Sequence, residues 1–489
     1  MVIKKKLAYD LVIFGTKGDL ARRKLLPSLY KLEKLKKLHK NTKIIGVGRA
    51  NWDKNTYIKM VKKNLKKFIN EEINIIFWKK FCKKLIFCNI DVNYIENFLK
   101  LKKILDQKNK ITINYLAMPP NTFELICKGL AKAKLNLPSS RIVIEKPIGE
   151  SLKTSKDINN KVGKYFKESQ IFRIDHYLGK ETILNLLSLR FSNFLFMNNW
   201  SNKNIDHIQI TIAENIGIKG RWNYFNKTGQ IKDMVQNHLL QILTIITMSI
   251  PINLSSDNIR NEKVKILKSL KPINIKNIKK KIVLGQYTKG YIDRKLVNSY
   301  LKENNLNETS KTETFVCIKV NIENWKWKGV PFYLRTGKRL PIKYSEIVIF
   351  FKKIPINLFK NSCNVIPQNK LIIRLQPNEG IDIKINNKIP GLTSKFNLKE
   401  ILLTSNYSEE FKKIDIPDAY ERLLLDSMIG KQTLFVRRDE IEASWKWIDK
   451  IIKSLKKKNQ KIKIYPAGTW GPKESIDLIQ RDGRNWNIY

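Results

Sequence analysis

From Tyr9 to Ala21 the chain reads Tyr-Asp-Leu-Val-Ile-Phe-Gly-Thr-Lys-Gly-Asp-Leu-Ala. The apolar run Tyr9–Phe14 stops at Gly15, and a basic segment with leucines at helical spacing follows through Lys37. That order predicts strand, turn, helix. A turn of this kind can cradle a pyrophosphate. Glycines let the backbone approach closely, while the first N–H groups of the helix and its dipole favour an anion. The spacing over Gly15, Gly18 and Ala21 is G-x-x-G-x-x-A rather than G-x-G-x-x-G. The pattern alone is weak; its place directly after an apolar strand carries the reading.

Working outward, Lys43–Gly48 reads as a second strand, with a helical stretch from about Asn55. Further strands are expected at Leu85–Ile90, Thr112–Ala117 and Arg141–Ile144, the last stopped by Glu145-Lys146-Pro147. Strands alternating with helices predict a parallel, doubly wound sheet. After about Asp175 the rhythm changes. Strand-like runs follow at Ile208–Ala213, Phe315–Ile322, Ile347–Phe351, Lys370–Leu375 and Ile381–Ile385, with few helices expected between them. The polar stretch Asn298–Lys311 reads as an exposed loop. The expected fold is therefore an α/β Rossmann-type dinucleotide-binding domain followed by an α+β domain with a large, mainly antiparallel sheet. The 489 residues exceed what one core usually supports, and the division is placed at 1–176 and 177–489.

Composition narrows the class. The five cysteines are scattered without metal-type pairing, which suits a reducing cytoplasm. Asp10 interrupts the only candidate leader segment, so no signal peptide is expected. The apolar stretch Leu239–Ile252 carries Gln241, Thr244, Thr247 and Ser249 and falls short of the ~20 residues that span a bilayer. A buried helix is the better reading, with no membrane partner. The formal net charge is +51, which raises the question of nucleic acid. Lysine is spread from Lys4 to Lys473 rather than gathered on one element, so the charge reads as compositional and no nucleic-acid partner is expected.

Residue choice at the second strand bears on the cofactor. A dinucleotide enzyme that uses NAD usually places Asp or Glu there. This chain offers Arg49 after Gly48, and a guanidinium fits a 2′-phosphate that a carboxylate would repel. An ordinary surface arginine is the alternative. Of the four histidines, His39 reads as a solvated residue ending a lysine-rich helix, and His207 precedes a strand. His176 sits in Arg173-Ile-Asp-His-Tyr-Leu-Gly-Lys-Glu181, where Asp175, His176, Tyr177 and Lys180 could hold a phosphate. Asp175 as the N-cap of a polar helix start is the equal alternative. His238 sits in Asp233-Met-Val-Gln-Asn-His-Leu-Leu-Gln241, too polar for an ordinary buried helix. Five positions separate Asp233 from His238, so on a regular helix the two do not stack.

Taken together, RIDHYLGKE (173–181), DMVQNHLLQ (233–241), the segment GTKGDLARRKLLPS (15–28), EKPIG (145–149) and PFYLRTGKRLP (331–341) resemble bacterial glucose-6-phosphate dehydrogenase from about Asp10 to Trp486. The resemblance implies oxidation of D-glucose 6-phosphate at C1 to 6-phospho-D-glucono-1,5-lactone with hydride transfer to NADP⁺, the first step of the oxidative pentose phosphate pathway. It implies that His238 is the general base and that Asp175 orients it. It assigns phosphate binding to His176 and Lys180 with Tyr177 beside them, and sugar-hydroxyl binding to Glu214 and Asp233. Lys338 and Lys343 match substrate-binding lysines, and Lys24 a lysine near the reacting centre. The NADP contacts implied are Gly15, Thr16, Lys17, Gly18, Asp19, Leu20, Ala21 and Arg22, with Arg49, Asp91, Val92 and Lys146. The resemblance further implies a cytoplasmic homodimer or homotetramer. No metal is required, because the carbonyl forms by hydride loss. One departure is Asn215 after Glu214, where a second acid is common in the family. The rivals are another Rossmann-type sugar oxidoreductase and a basic nucleic-acid-binding protein.

Overall fold

The computed structural model describes residues 8–218, 220–303, 309–392, 396–412 and 414–487. Two compact units emerge, and the first is discontinuous. It comprises Met1–Lys180 with two later returns of the chain, Pro251–Asn261 and Pro417–Glu442; the remainder forms the second. The linear division at 176/177 does not contain those returns. Nothing in the local sequence marks them, because they are joined to the first unit by long-range pairing.

In the first unit, six parallel strands run β1 (Tyr9–Phe14), β2 (Lys43–Gly48), β3 (Leu85–Asn89), β4 (Ile111–Leu116), β5 (Arg141–Ile144) and β6 (Ile171–Ile174). Their spatial order is β3-β2-β1-β4-β5-β6. Every residue of β1 is buried, as expected of a central parallel strand covered on both faces. Its one charge, Asp10, is satisfied by Lys110 Nζ at 3.2 Å and the Asp106 N–H at 2.9 Å. The helix Lys54–Phe68 starts where Asp53 accepts the Thr56 N–H and buries Tyr57, Val61 and Leu65 at spacing four against the sheet side. A returning strand, Phe435–Val436, pairs antiparallel with β6, and Phe435 packs edge-on against Phe172 at 4.9 Å.

A nine-stranded sheet organises the second unit. Its strands are β7 (Ile205–Ala213), β8 (Ile282–Thr288), β11 (Phe315–Asn321), β12 (Pro331–Gly337), β13 (Tyr344–Phe351), β14 (Lys370–Gln376), β15 (Gly380–Lys388), β16 (Leu398–Asn406) and β18 (Lys463–Pro466), the intervening numbers being the hairpin β9 (Gly290–Ile292) and β10 (Lys295–Val297) and the first unit's β17 (Phe435–Val436). The order is β16-β15-β14-β13-β7-β12-β11-β8-β18, antiparallel except at β7–β12 and β8–β18. The expected mainly antiparallel sheet is thus present.

Helices are more frequent here than the sequence suggested. Between β7 and β8 run Trp222–Gln230, a π-helix at Ile231–Leu239, and Leu240–Thr247. Every residue of Leu240–Thr247 is buried, so no 3.6-residue polar stripe announces it. Its last carbonyls are claimed one by one. Arg190 donates to Ile245 O (2.5 Å) and Met248 O (2.6 Å), Trp200 Nε1 to Ile246 O (2.7 Å), and Trp327 Nε1 to Thr247 O (2.7 Å). The helix is a core element. Among the described residues no helix is long and apolar enough to cross a membrane.

Three smaller expectations change. His207 lies inside β7, buried and stacked on Phe350 at 4.1 Å, with Nδ1 2.6 Å from Asp206 Oδ2. The strand begins at Ile205, three residues further back than the alternation suggested. The helix before His39 ends at Lys34, and the half-buried ring accepts the Asn41 N–H. Within Asn298–Lys311, residues 304–308 lie outside the described set. Tyr300, however, is fully buried and stacks on Trp222 at 4.6 Å, so that part is no exposed loop.

Candidate active site

In the first unit, the site residues share one position in the topology. Gly15–Arg22 follow β1, Arg49 follows β2, Asp91 and Val92 follow β3, Lys146 follows β5 and Asp175 follows β6. All stand at carboxyl ends of parallel strands, where open α/β sheets bind ligands. The strand order reverses between β1 and β4, which opens the crevice beside Gly15.

Close approach fixes Gly15. Its φ is +86°, and a Cβ there would lie 2.5 Å from Ala117 O and 2.8 Å from Met118 Cγ. The Gly15 and Thr16 N–H groups donate to Val47 O at 3.0 and 3.2 Å, which ties the turn to β2. Thr16 is buried and its hydroxyl meets Tyr57 Oη at 2.9 Å, so its side chain anchors the loop. Exposed Lys17 lies 5.0 Å over the Trp52 ring, and exposed Asp19 pairs with Arg23 at 3.5 Å. Leu20 is half-buried, Ala21 is buried, and Arg22 points to solvent. The helix begins with a π-helical turn, Ala21–Leu25. Such a backbone cradle, with a helix start beside it, fits a dinucleotide pyrophosphate. Arg49 stands exposed after Gly48. Half-buried Asp91 accepts both the backbone and side-chain N–H of Asn93, and Val92 is buried.

A tight turn groups the residues after β6. Asp175 Oδ1 accepts the Tyr177 N–H at 3.0 Å, Asp175 O accepts from Leu178, and Tyr177 O accepts from Lys180. Within it the His176 and Tyr177 rings lie 4.9 Å apart, and Lys180 Nζ is 5.6 Å over the Tyr177 ring. The turn therefore presents imidazole, phenol and ammonium together. Asp175 does not cap a helix: the next one begins at Glu181, and the carboxylate closes the turn instead.

Sequence reasoning missed a buried cluster next to Lys146. Glu145 bonds the phenols of Tyr115 and Tyr420, and burial pushes its carboxyl up to about 7, the two phenols and Lys146 acting in the opposite direction. Tyr420 in turn stacks parallel to His176 at 6.3 Å. Asp418 caps the helix Ala419–Ile429 through the Tyr420 N–H and pairs with Lys24 Nζ at 3.1 Å. The available signals were the acid between an apolar strand and Pro147, and the capping pattern Asp418-Ala-Tyr-Glu421.

The second unit gathers another set. Strands β7 and β12 run parallel with Ala213 opposite Gly337, so the next residue of each, Glu214 and Lys338, emerge side by side. Lys338 Nζ lies 2.7 Å from Glu214 Oε2 and 5.1 Å from the Phe225 ring centre. Lys338 is buried, while Glu214 keeps partial access to solvent. Gln230 Nε2 donates to Thr336 Oγ1 at 2.9 Å, which ties the start of the π-helix to β12. Buried Asp233 accepts from Tyr224 Oη at 3.3 Å, and Gln236 reaches Ser444 Oγ at 2.8 Å. His238 is fully buried on the same helix. The premise that separated Asp233 from His238 was a regular α-helix. The segment is π-helical, with i→i+5 bonding, so that spacing rule does not hold. Lys343 is exposed ahead of β13 and stands outside this contact set.

In comparison with known proteins, family models, relatives of high identity and a substrate-bound structure point to the same family. The family model described as "Glucose-6-phosphate dehydrogenase, NAD binding domain" matches residues 12–185, and "Glucose-6-phosphate dehydrogenase, C-terminal domain" matches 187–487. The glucose-6-phosphate 1-dehydrogenase of Buchnera aphidicola subsp. Baizongia pistaciae (strain Bp) is 62% identical over 486 residues, covering 99% of each chain. That of Rhizobium meliloti (strain 1021) is 45% identical over 481 residues, covering 98% of this chain and 97% of the relative. A solved glucose-6-phosphate dehydrogenase in complex with its substrate glucose-6-phosphate superposes with a TM-score of 0.90 at 35% identity, covering 98% of both chains.

Proposed function

This chain belongs to the glucose-6-phosphate dehydrogenase family, and from that premise we propose how its own residues carry out the reaction. It is an oxidoreductase that takes D-glucose 6-phosphate to 6-phospho-D-glucono-1,5-lactone, with a nicotinamide dinucleotide as hydride acceptor. The alternatives, a different sugar oxidoreductase or a nucleic-acid binder, are not favoured.

His238 is the proposed general base. A neutral imidazole, with an ordinary pKa near 6.5, can take the C1-hydroxyl proton close to neutral pH as the hydride departs. Asp175 is proposed to orient the ring and stabilise its protonated form, as a triad carboxylate does. His176, Tyr177 and Lys180, already grouped by one turn, are assigned to the substrate phosphate, with Lys343 as a further substrate-binding lysine and Lys24 as a lysine near the reacting centre. Glu214, Asp233 and Lys338 are assigned to the sugar hydroxyls. When bound, the dinucleotide supplies the nicotinamide carbon that accepts the hydride. The cradle Gly15–Arg22, with Asp91, Val92 and Lys146, would hold it. NADP is the proposed form, because Arg49 stands exposed at the end of β2 where a 2′-phosphate would be read. A homodimer or homotetramer in the cytoplasm is proposed on the family resemblance. The outer strand β16 exposes Leu402 and Leu403, which a second copy could cover.

The observation that carries the reading is the Glu214–Lys338 pair beside a buried histidine helix, in a chain with a glycine cradle at its first strand. The test is reduced-cofactor formation, followed by absorbance, with glucose 6-phosphate and with glucose. Turnover of the phosphorylated sugar alone is expected; comparable turnover of glucose would contradict the phosphate assignments. Replacing Arg49 by Ala is expected to weaken NADP⁺ far more than NAD⁺, read as the ratio of the two kcat/KM values. Equal losses would remove the 2′-phosphate role.

A further inference from the structure

Glu313 stands two residues ahead of β11, and its carboxylate reaches the start of the π-helix. Oε1 accepts the Ile231 N–H at 3.0 Å, and the Glu313 carbonyl accepts the Gln230 N–H at 3.1 Å. One residue on, Thr314 O accepts the Lys338 N–H at 3.0 Å. The Thr314 hydroxyl lies 3.2 Å from Tyr465 Oη, which donates to Lys338 O at 2.6 Å. Two consecutive residues thus hold the helix that carries Asp233 and His238 and the strand end that carries Lys338. Gly229 makes the approach possible. Its φ is +67°, and a Cβ there would lie 2.5 Å from Glu313 Oε1.

The first N–H groups of any helix lack intrahelical partners, and the positive end of its dipole favours an anion. An i→i+5 helix is rare and usually only one turn long, so a nine-residue one depends more than most on what fixes its ends. Its far side continues into Leu240–Thr247, whose carbonyls are held by Arg190, Trp200 and Trp327. The near end rests on Glu313.

We propose that Glu313 is a positioning residue for the reaction, fixing the π-helix so that His238 and Asp233 stand in register with Lys338 and Glu214. The proposal rests on the roles given to those four residues above. Glu313 also borders a cavity of about 740 Å³, lined in part by Gly229, Ile231, Lys232 and Ser310. If the carboxylate is removed, water from that cavity can bond the Ile231 N–H. Folding stability then changes little, while the register of the helix is no longer fixed. This separates a positioning role from a merely structural one.

The experiment compares wild type, Glu313→Ala, Glu313→Gln and Gly229→Ala, with Ile372→Ala as a control. Ile372 is buried in β14 in a separate cluster with Val348 and Phe350, so its truncation destabilises the same unit without removing any contact that holds the π-helix. Steady-state kinetics with glucose 6-phosphate and thermal unfolding are measured for each variant. Glu313→Ala and Gly229→Ala are expected to lower kcat/KM about 10–100-fold, the cost of misplacing reacting groups by about 1 Å. Glu313→Gln, which keeps an acceptor oxygen in place, should recover activity to within about threefold of wild type. The proposal is overturned if Glu313→Ala stays within about twofold of wild type, if Gln is as impaired as Ala, or if the destabilised Ile372→Ala shows the same loss of kcat/KM. No turnover by the wild type would overturn both this proposal and the functional reading beneath it; intact wild-type turnover with unaffected variants overturns this proposal alone.

Discussion

Exchanging His238 for Asn is expected to cut turnover about 10²–10⁴-fold with little loss of glucose 6-phosphate affinity, the usual range for removing a general base. The side chain is fully buried in a π-helix, so the ring is held by its surroundings rather than moving in solvent. Asparagine preserves polarity and approximate size but cannot accept a proton near neutral pH. The hydride must then leave C1 while the attached hydroxyl keeps its proton, and that penalty falls on the transition state rather than on binding. Measured kcat and KM separate the two cases. A collapse of affinity at near-normal kcat would make His238 a binding residue.

The second large effect concerns the cradle. Gly15→Ala places a Cβ 2.5 Å from Ala117 O in a backbone conformation, φ +86°, that L-residues rarely adopt. Strain of this kind costs about 1–3 kcal/mol where the fold cannot relax it. Both contacts belong to the segment after β4, which bounds the crevice at the reversal of strand order. The loop must shift, and the pyrophosphate loses its close approach to backbone. Cofactor affinity is expected to fall about 5–150-fold, the equivalent of that strain. Calorimetric titration of the cofactor checks this. Unchanged affinity in a variant that unfolds at the wild-type temperature would show that the cradle does not hold the dinucleotide.

Much of the first unit was legible in the sequence because its strands are buried on both faces. Tyr9–Phe14, Lys43–Gly48 and Arg141–Ile144 are continuous apolar runs closed by Gly or by Glu-Lys-Pro, and they coincide with β1, β2 and β5. The runs Leu85–Ile90 and Thr112–Ala117 overshoot β3 and β4 by one residue at the carboxyl end, and the latter also starts one residue late. What the pattern could not show is long-range assembly. Phe435–Val436 joins β6 from far along the chain, and Arg141 holds the carbonyls of Ser427 and Met428. Neither contact leaves a local trace.

The candidate site divided in a similar way. Glu214 and Lys338 are adjacent because two strands are parallel neighbours in one register, a fact of topology rather than of spacing. Asp233 and His238 were read against α-helical geometry, and the segment instead widens to a π-helix. Glu145 was taken as the stop of a strand, yet its half-buried carboxylate bonds two phenols. Its chemistry depends on Tyr420, which arrives with the second return of the chain. Residue types were readable; their company was not.

The most direct test of the central claim follows the hydrogen itself. Glucose 6-phosphate carrying deuterium at C1 is incubated with the enzyme and NADP⁺, and the reduced cofactor is examined by proton NMR. The account predicts that one deuterium per turnover appears at C4 of the nicotinamide, with 6-phosphogluconolactone or its hydrolysis product formed in equal amount. Deuterium released to water, or a reduced cofactor bearing only hydrogen at that carbon, would contradict it.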